Sequence, residues 1–216
     1  MIHAMNGLAL EGVTLAINGR DLLGPLDVDV RADAPVTLMG PSGCGKSSLL
    51  AYVAGTLDDA FAARGDVRVD GASIVALPPE RRRVGILFQD DLLFPHLTVG
   101  ENLAFALPAS LSDRTARRAA VDAALVEADL AGFAHRDPAT LSGGQRARVA
   151  VMRTLLAAPR ALLLDEPFNK LDAKLRSDFR RFVFDHARER SLPVLLVTHD
   201  TADAEAAAGP VVTLGA

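Results

Sequence analysis

The chain has 216 residues, half of them apolar, and a formal net charge of −4. That suffices for one domain with a large interior, and the negative charge sets it against nucleic acid, whose binding draws on phosphate neutralisation. No run approaches the roughly 18 uncharged apolar residues of a membrane span, "MIHAMNGLALEG" lacks a signal peptide's basic and apolar segments, and lone Cys44 excludes an internal disulfide, so a soluble cytoplasmic protein is expected.

Two period-two runs come first, "LALEGVTLAI" (8–17) and "GPLDVDVRA" (24–32), which predict a small antiparallel sheet with one exposed face. "PVTLMG" (35–40) is instead a nearly continuous apolar run, the pattern of a parallel strand covered on both faces. The glycine-rich "GPSGCGKS" (40–47) follows it and opens a helix, "SSLLAYVAG". A basic triplet, Arg81, Arg82 and Arg83, reads as a solvated turn before the second buried strand, "VGILFQ" (84–89). Beyond Gln89 the period becomes helical: "DRTARRAAVDAALVEADL" (113–130) spaces its apolar residues as a helix does, and Gly132 stops it. "LSGGQ" (141–145) opens an Ala- and Arg-rich helical run, and two more buried strands follow, "ALLLDE" (161–166) and "PVLLVTH" (193–199). The expected fold class is α/β, a mainly parallel sheet with an N-terminal antiparallel β-subdomain and an inserted helical subdomain. All of it belongs to a single domain, 1–216, with a core of approximately 1–89 and 157–216 and a helical part of approximately 90–156.

The buried strands end in glycine or polar residues: Gly40, Gln89, Asp165 with Glu166, and His199. In open α/β sheets ligands sit beyond the carboxyl ends of the strands, so these residues are expected to converge on one site. Residues 40–47 fit the phosphate-loop pattern G-x-x-x-x-G-K-[ST], whose glycines let backbone N–H groups curl around an anion at a helix start. The pattern makes this a nucleotide site: Gly40, Pro41, Ser42, Gly43, Cys44, Gly45 and Ser48 are expected to line the nucleotide, Lys46 would reach its β- and γ-phosphates, and the Ser47 hydroxyl would bind Mg²⁺. Lysine is scarce, three residues against twenty arginines, which marks Lys46, Lys170 and Lys174 as places where its chemistry matters.

Asp165 and Glu166 are adjacent on a strand, so they point to opposite sides and divide the work. Asp165 is assigned to Mg²⁺, and Glu166 to orienting and deprotonating the attacking water. A neutral His199 would contact the γ-phosphate and hold Glu166 in place, and the Gln89 amide would coordinate Mg²⁺ or the water.

Together these segments resemble the ATP-binding cassette ATPases, specifically the ATP-binding subunits of bacterial ABC transporters, over nearly the whole chain. The resemblance implies a P-loop NTPase (RecA-like) core. It makes 40–47 the Walker A loop, Gln89 the start of the Q-loop, "LSGGQ" the signature, and Asp165 the end of the Walker B strand. Glu166 becomes the catalytic glutamate, "NKLD" ending in Asp172 the D-loop, and His199 the switch histidine. It implies ATP hydrolysis with Mg²⁺ in a head-to-tail homodimer, where Ser142, Gly143, Gly144 and Gln145 of one subunit face the nucleotide held by the other's Walker A loop. Ser142 would cap the signature helix, and the two glycines would let its N–H groups approach that nucleotide. Transmembrane permease subunits, a solute-binding protein and a peripheral place on the inner face of the cell membrane are also implied; nucleic acid is not.

"FQDDLLFPHLTVGENLAFAL" (88–107) is similar to the importer form of the Q-loop region, with Phe94, Pro95 and Leu97 in the groove for a helix of the membrane subunit. The text here and around the signature resembles short importer ATPases of the thiamine, polyamine, ferric-iron and sulfate class, nearest a thiamine-type group. Two departures stand out. Ile17 occupies the place where the family commonly stacks adenine on an aromatic residue, so weaker and less base-selective nucleotide binding is expected. The chain ends at "GPVVTLGA", so regulation through an appended domain is not expected.

Other ABC proteins fit less well. Repair ATPases need a long coiled coil that the stretch between Lys46 and Leu141 cannot hold, and translation factors usually carry two cassettes. "LFPHLTV" argues against a short exporter or lipoprotein-release cassette, and Glu166 with His199 against a degenerate nucleotide sensor.

Overall fold

The computed structural model describes residues 7–215; the first six residues, part of the leader reading, and the side chain of Lys174 lie outside the described residues. The chain begins with β1 (Gly7–Ile17), β2 (Arg20–Arg31), β3 (Val36–Met39), α1 (Lys46–Ala54), β4 (Phe61–Val69) and β5 (Ala72–Ser73). Next come α2 (Pro79–Arg82), β6 (Val84–Leu87), α3 (Val99–Ala106), α4 (Arg114–Glu127), a 3₁₀ turn (Pro138–Thr140) and α5 (Gly143–Leu156). The last part holds β7 (Ala161–Asp165), α6 (Ala173–Glu189), β8 (Val194–Val197), α7 (Thr201–Ala207) and β9 (Val211–Thr213). They form two compact units. The first contains the chain up to Ile86, Arg160–Glu166 and everything from Arg180 on; the second contains Leu87–Pro159 and Pro167–Phe179.

Within the first unit, β1 and β2 make an antiparallel hairpin whose two-residue turn, Asn18 and Gly19, has positive φ at both positions (50° and 73°). Such a turn matches the right-handed twist of the strands it joins. β4 pairs with the free side of β1, and the sheet order is β2-β1-β4-β5. The other sheet runs β6-β7-β8-β3-β9, with β7, β8, β3 and β9 paired parallel. Burial accounts for the unbroken apolar runs: Leu162, Leu163 and Leu164 of β7 and Leu195, Leu196 and Val197 of β8 are at most 1% exposed. Leu8 and Leu15 of β1, Leu49 and Val53 of α1, Leu163 and Leu195 share one apolar core. This core fixes the start of α1 relative to the ends of β7 and β8.

The basic triplet departs from expectation at Arg82, which is 7% exposed. Its guanidinium donates to the Leu77, Tyr52, Val53 and Val75 carbonyls at 2.9, 2.6, 3.0 and 2.7 Å. The Tyr52 carbonyl, near the end of α1, otherwise accepts only the 3.2 Å bond from the Gly55 N–H, and a buried guanidinium has five donors to place, so Arg82 and the end of α1 satisfy each other. Arg81 and Arg83 are exposed.

The second unit is built on α3, α4 and α5, with α3 packed on both others. Val99, Leu103, Leu125, Val149 and Met152 are buried there. Asp113, the first residue of the predicted helical run, caps α4 by accepting from Ala116 N–H at 2.7 Å. Among the described residues no helix is long and apolar enough to cross a membrane.

Candidate active site

β3 stops at Met39 and the chain turns through residues 40–45 before α1 begins. Gly45, the N-cap of α1, sits at φ 91°, a conformation that strains any L side chain. Gly40 is closed in differently: a Cβ there would lie 2.7 Å from the Leu214 carbonyl oxygen. Neither a side-chain cap nor an acidic residue occupies the first turn of α1. Its donors and the positive end of its dipole are therefore available to an anion. Lys46, 7% exposed, folds its ammonium over the loop and donates to the Gly40 and Pro41 carbonyls, both at 2.8 Å. Pro41, Ser42 and Gly43 are exposed, while Cys44 and Ser48 are half-buried.

The Ser47 hydroxyl donates to Asp165 Oδ1 at 3.0 Å, joining the loop to the end of β7. Burial pushes the Asp165 carboxyl above the usual range, and the Ser47 bond acts against that shift. Glu166 lies just past the strand at φ 49°, a left-handed turn uncommon outside glycine. The expected division by pleat alternation is thus corrected: β7 ends one residue sooner, and the left-handed turn before Pro167 sets the direction of Glu166.

His199 follows β8, and its Nδ1 lies 3.2 Å from Glu166 Oε1. A neutral imidazole has one N–H, so donating to Glu166 and to a phosphate oxygen together requires the doubly protonated ring. That narrows the expectation of a neutral His199 serving both contacts.

The remaining residues singled out in the sequence lie in the second unit. Gln89 is exposed, just beyond the end of β6. Asp172 starts α6: Oδ1 accepts from Leu175 N–H at 3.0 Å and its carbonyl from Arg176 N–H at 2.8 Å. Ser142 caps α5 with a reciprocal box, its Oγ accepting from Gln145 N–H at 3.3 Å while Gln145 Oε1 accepts from Ser142 N–H at 2.9 Å. Gly143 and Gly144 are the first two helical residues. A Cβ at either would meet nothing closer than 3.9 and 3.7 Å, and neither has positive φ.

A family model described as "ABC transporter" matches residues 23–169, from within β2 to beyond β7. The chain belongs to the ABC transporter ATPase family. As a member it is an ATPase: it binds and hydrolyses ATP. It is 50% identical over 199 residues to the uncharacterized ABC transporter ATP-binding protein YnjD of Escherichia coli (strain K12), spanning 92% of this chain and 91% of that protein. It is 40% identical to the spermidine/putrescine import ATP-binding protein PotA of Nitrosomonas europaea over 91% of this chain and 54% of PotA. The Fe(3+) ions import ATP-binding protein FbpC of Streptomyces avermitilis is also 40% identical, over 97% of this chain and 60% of FbpC. The chain therefore spans only a little over half the length of these last two relatives. None of the three names mentions thiamine.

The family implies Mg²⁺, and the residues of this ABC ATPase fit it. Ser47 and Asp165 present a hydroxyl and a partly desolvated carboxylate, both hard oxygen donors, within one hydrogen bond of each other. Among the described residues no group of three or more His, Cys, Asp or Glu gathers to cage a metal.

Asn102 was not anticipated from the sequence. It is fully buried in α3; Oδ1 accepts from Phe94 N–H at 2.8 Å and Nδ2 donates to the Phe94, Leu97 and Thr98 carbonyls at 3.1, 3.2 and 3.0 Å. It thereby shapes the loop that carries the predicted groove residues Phe94, Pro95 and Leu97. The only available signal was an amide inside an apolar helical run. Beside that loop Phe105 is 68% exposed and packs edge-on against Phe94, with ring centroids 4.9 Å apart, and Leu92 is also exposed.

Proposed function

We propose that this ABC ATPase supplies the energy for an importer, working as a head-to-tail homodimer with permease subunits on the cytoplasmic face of the cell membrane and with a solute-binding protein. The observation that carries the reading is at Gly143 and Gly144. Neither backbone conformation nor packing within the chain requires glycine at either place. An anion approaching their N–H groups from outside does. ATP held on the loop of a second copy supplies that anion, so each chain contributes halves to two sites.

In each composite site the N–H groups of residues 40–47 and the Lys46 ammonium bind the β- and γ-phosphates. Ser47, Asp165 and Gln89 are the residues assigned to Mg²⁺, which when bound neutralises charge on the phosphate oxygens. Glu166 orients a water in line with the γ-phosphorus. It takes the water's proton as the new O–P bond forms and the bond to the β–γ bridging oxygen breaks, leaving ADP and phosphate. His199 steadies the Glu166 carboxylate through Nδ1. The signature of the second copy binds the γ-phosphate from the opposite side, and Asp172, in the D-loop, stands at the contact between copies. Closure on ATP and opening after hydrolysis drive the permease.

The exposed Leu92 and Phe105, the latter packed on half-buried Phe94, support docking of a helix from a membrane subunit, and the likeness of 88–107 to importer text favours import over export. The cargo is a small solute of the thiamine, polyamine, ferric-iron or sulfate class, nearest the thiamine type by the text around the signature. Ser142→Arg tests the reading. It is expected to abolish turnover by the full chain while leaving binding of a fluorescent ATP analogue by dilute monomer intact. Loss of monomer binding would overturn the role assigned to the signature.

A further inference from the structure

His199 depends on its neighbours for its direction. Its side chain is 63% exposed, and among the described residues the one hydrogen bond of its ring goes to Glu166. The residues on either side are fixed. Thr198 is fully buried, and its hydroxyl donates to Asp203 Oδ2 at 2.6 Å while accepting from Asp200 N–H at 3.1 Å. Asp200 accepts on Oδ1 from Ala202 N–H at 2.8 Å, capping α7, and on Oδ2 from Arg180 Nη2 at 3.2 Å. Arg180, in α6, closes the circuit by donating from Nε to Asp203 Oδ1 at 2.6 Å. Asp203 is 0% exposed and the Arg180 side chain 13%.

A buried ion pair of this kind does not by itself stabilise a fold over apolar side chains of similar volume, because desolvation offsets the attraction. What apolar residues could not supply is direction. The two carboxylate oxygens and the guanidinium fork hold the chain on both sides of one exposed histidine.

We propose that Arg180 and Asp203 are positioning residues for ATP hydrolysis, their buried pair clamping Thr198 and Asp200 so that the His199 ring meets the Glu166 carboxylate. The proposal rests on the roles given to Glu166 and His199 above. A misplaced ring leaves nucleotide binding on residues 40–47 untouched and slows only the chemical step, since small errors of orientation are costly there.

The test is a mutant cycle on the full chain. The apolar pair Arg180→Met with Asp203→Leu is combined with His199→Ala, and kcat, KM and ATP affinity are measured. The pair is expected to lower kcat roughly 10- to 100-fold with KM and ATP affinity unchanged. Adding His199→Ala is then expected to lower it little further, because the ring is already out of place. A wild-type kcat in the paired variant overturns the proposal, as does a full additional loss on adding His199→Ala. Should the pair fail to fold, Thr198→Val removes the hydroxyl alone, and the same cycle is read on that background. Unchanged turnover in His199→Ala alone would instead overturn the histidine's own role, and this proposal with it.

Discussion

Arg146 donates from Nε to Asp91 Oδ2 at 2.9 Å, while its Nη1 donates to the Leu141 carbonyl at 2.7 Å. One guanidinium thus ties the segment after Gln89 to the first residue of the signature. Arg153, further along α5, reinforces the tie through the Asp91 and Leu92 carbonyls at 3.2 and 2.9 Å. The Arg146 and Asp91 side chains are 36% and 30% exposed. Solvent screening therefore holds the ion pair to about 0.2–1 kcal/mol, and the bond to Leu141 adds about 1 kcal/mol. Arg146→Ala is expected to cost about 1–2 kcal/mol and Asp91→Ala less, with urea titrations of the singles and the double returning a positive coupling. A coupling of zero would mean that the pair contributes nothing to stability.

Glu166→Gln separates holding a water from deprotonating it. The amide keeps the size of the side chain and can still bond to His199, but it cannot accept the water's proton. Turnover is expected to fall by about 10²–10⁴, with ATP still bound and the chain shifted toward a dimer in size-exclusion chromatography. Hydrolysis at the wild-type rate would remove Glu166 as the base.

Ile17 bears on nucleotide choice. It ends β1, half-buried, and the strand register sets it opposite Arg20 on one side and Phe61 on the other. Leu22, on the adjoining strand, reaches the phosphate loop: a Cβ at Gly45 would lie 3.0 Å from Leu22 Cγ. An aliphatic group gives a base less to stack on than an aromatic ring. ATP, GTP and ITP are therefore expected to bind the wild-type chain with similar dissociation constants. Ile17→Tyr is expected to tighten ATP binding about 5- to 150-fold, the equivalent of about 1–3 kcal/mol of stacking. A strong wild-type preference for ATP in competition titrations would sink the idea.

What the sequence revealed depended on how local the cause was. β3, β7 and β8 are legible because strands covered on both faces must be apolar without alternation, and the start of α5 is legible because its cap bonds lie within four residues. β4 was not found: "FAARGDVRV" is mixed in polarity and carries Gly65 at φ 95°, and it is a strand only because β1 offers it an edge. Arg82 could not be recognised as buried, since its acceptors at Tyr52 and Val53 lie on another helix. The left-handed turn at Glu166 also escapes a periodicity argument, which assigns faces to regular strands and says nothing about the residue that leaves one. In each case the deciding partner was distant in sequence or was a sign of φ that residue type does not encode.

Asn102 makes the same point and gives a test of the loop that carries Phe94, Pro95 and Leu97. Four hydrogen bonds of one buried amide fix residues 94–98, so Asn102→Leu, close in volume, takes that partner from the Phe94 N–H and the Leu97 carbonyl without opening a cavity, while the Phe94 and Thr98 carbonyls keep their backbone bonds from the Leu97 and Asn102 N–H groups. Unsatisfied buried groups make the change cost about 2–4 kcal/mol in the second unit. Hydrogen exchange at Phe94 and Leu97 is expected to quicken, while ATP binding on residues 40–47 of the first unit is unchanged. Ordered loops dock with less entropic cost than loose ones. Co-purification with the proposed membrane subunits is therefore expected to weaken more than basal hydrolysis does. Unaltered exchange at Phe94 would show that the loop holds its shape without the amide.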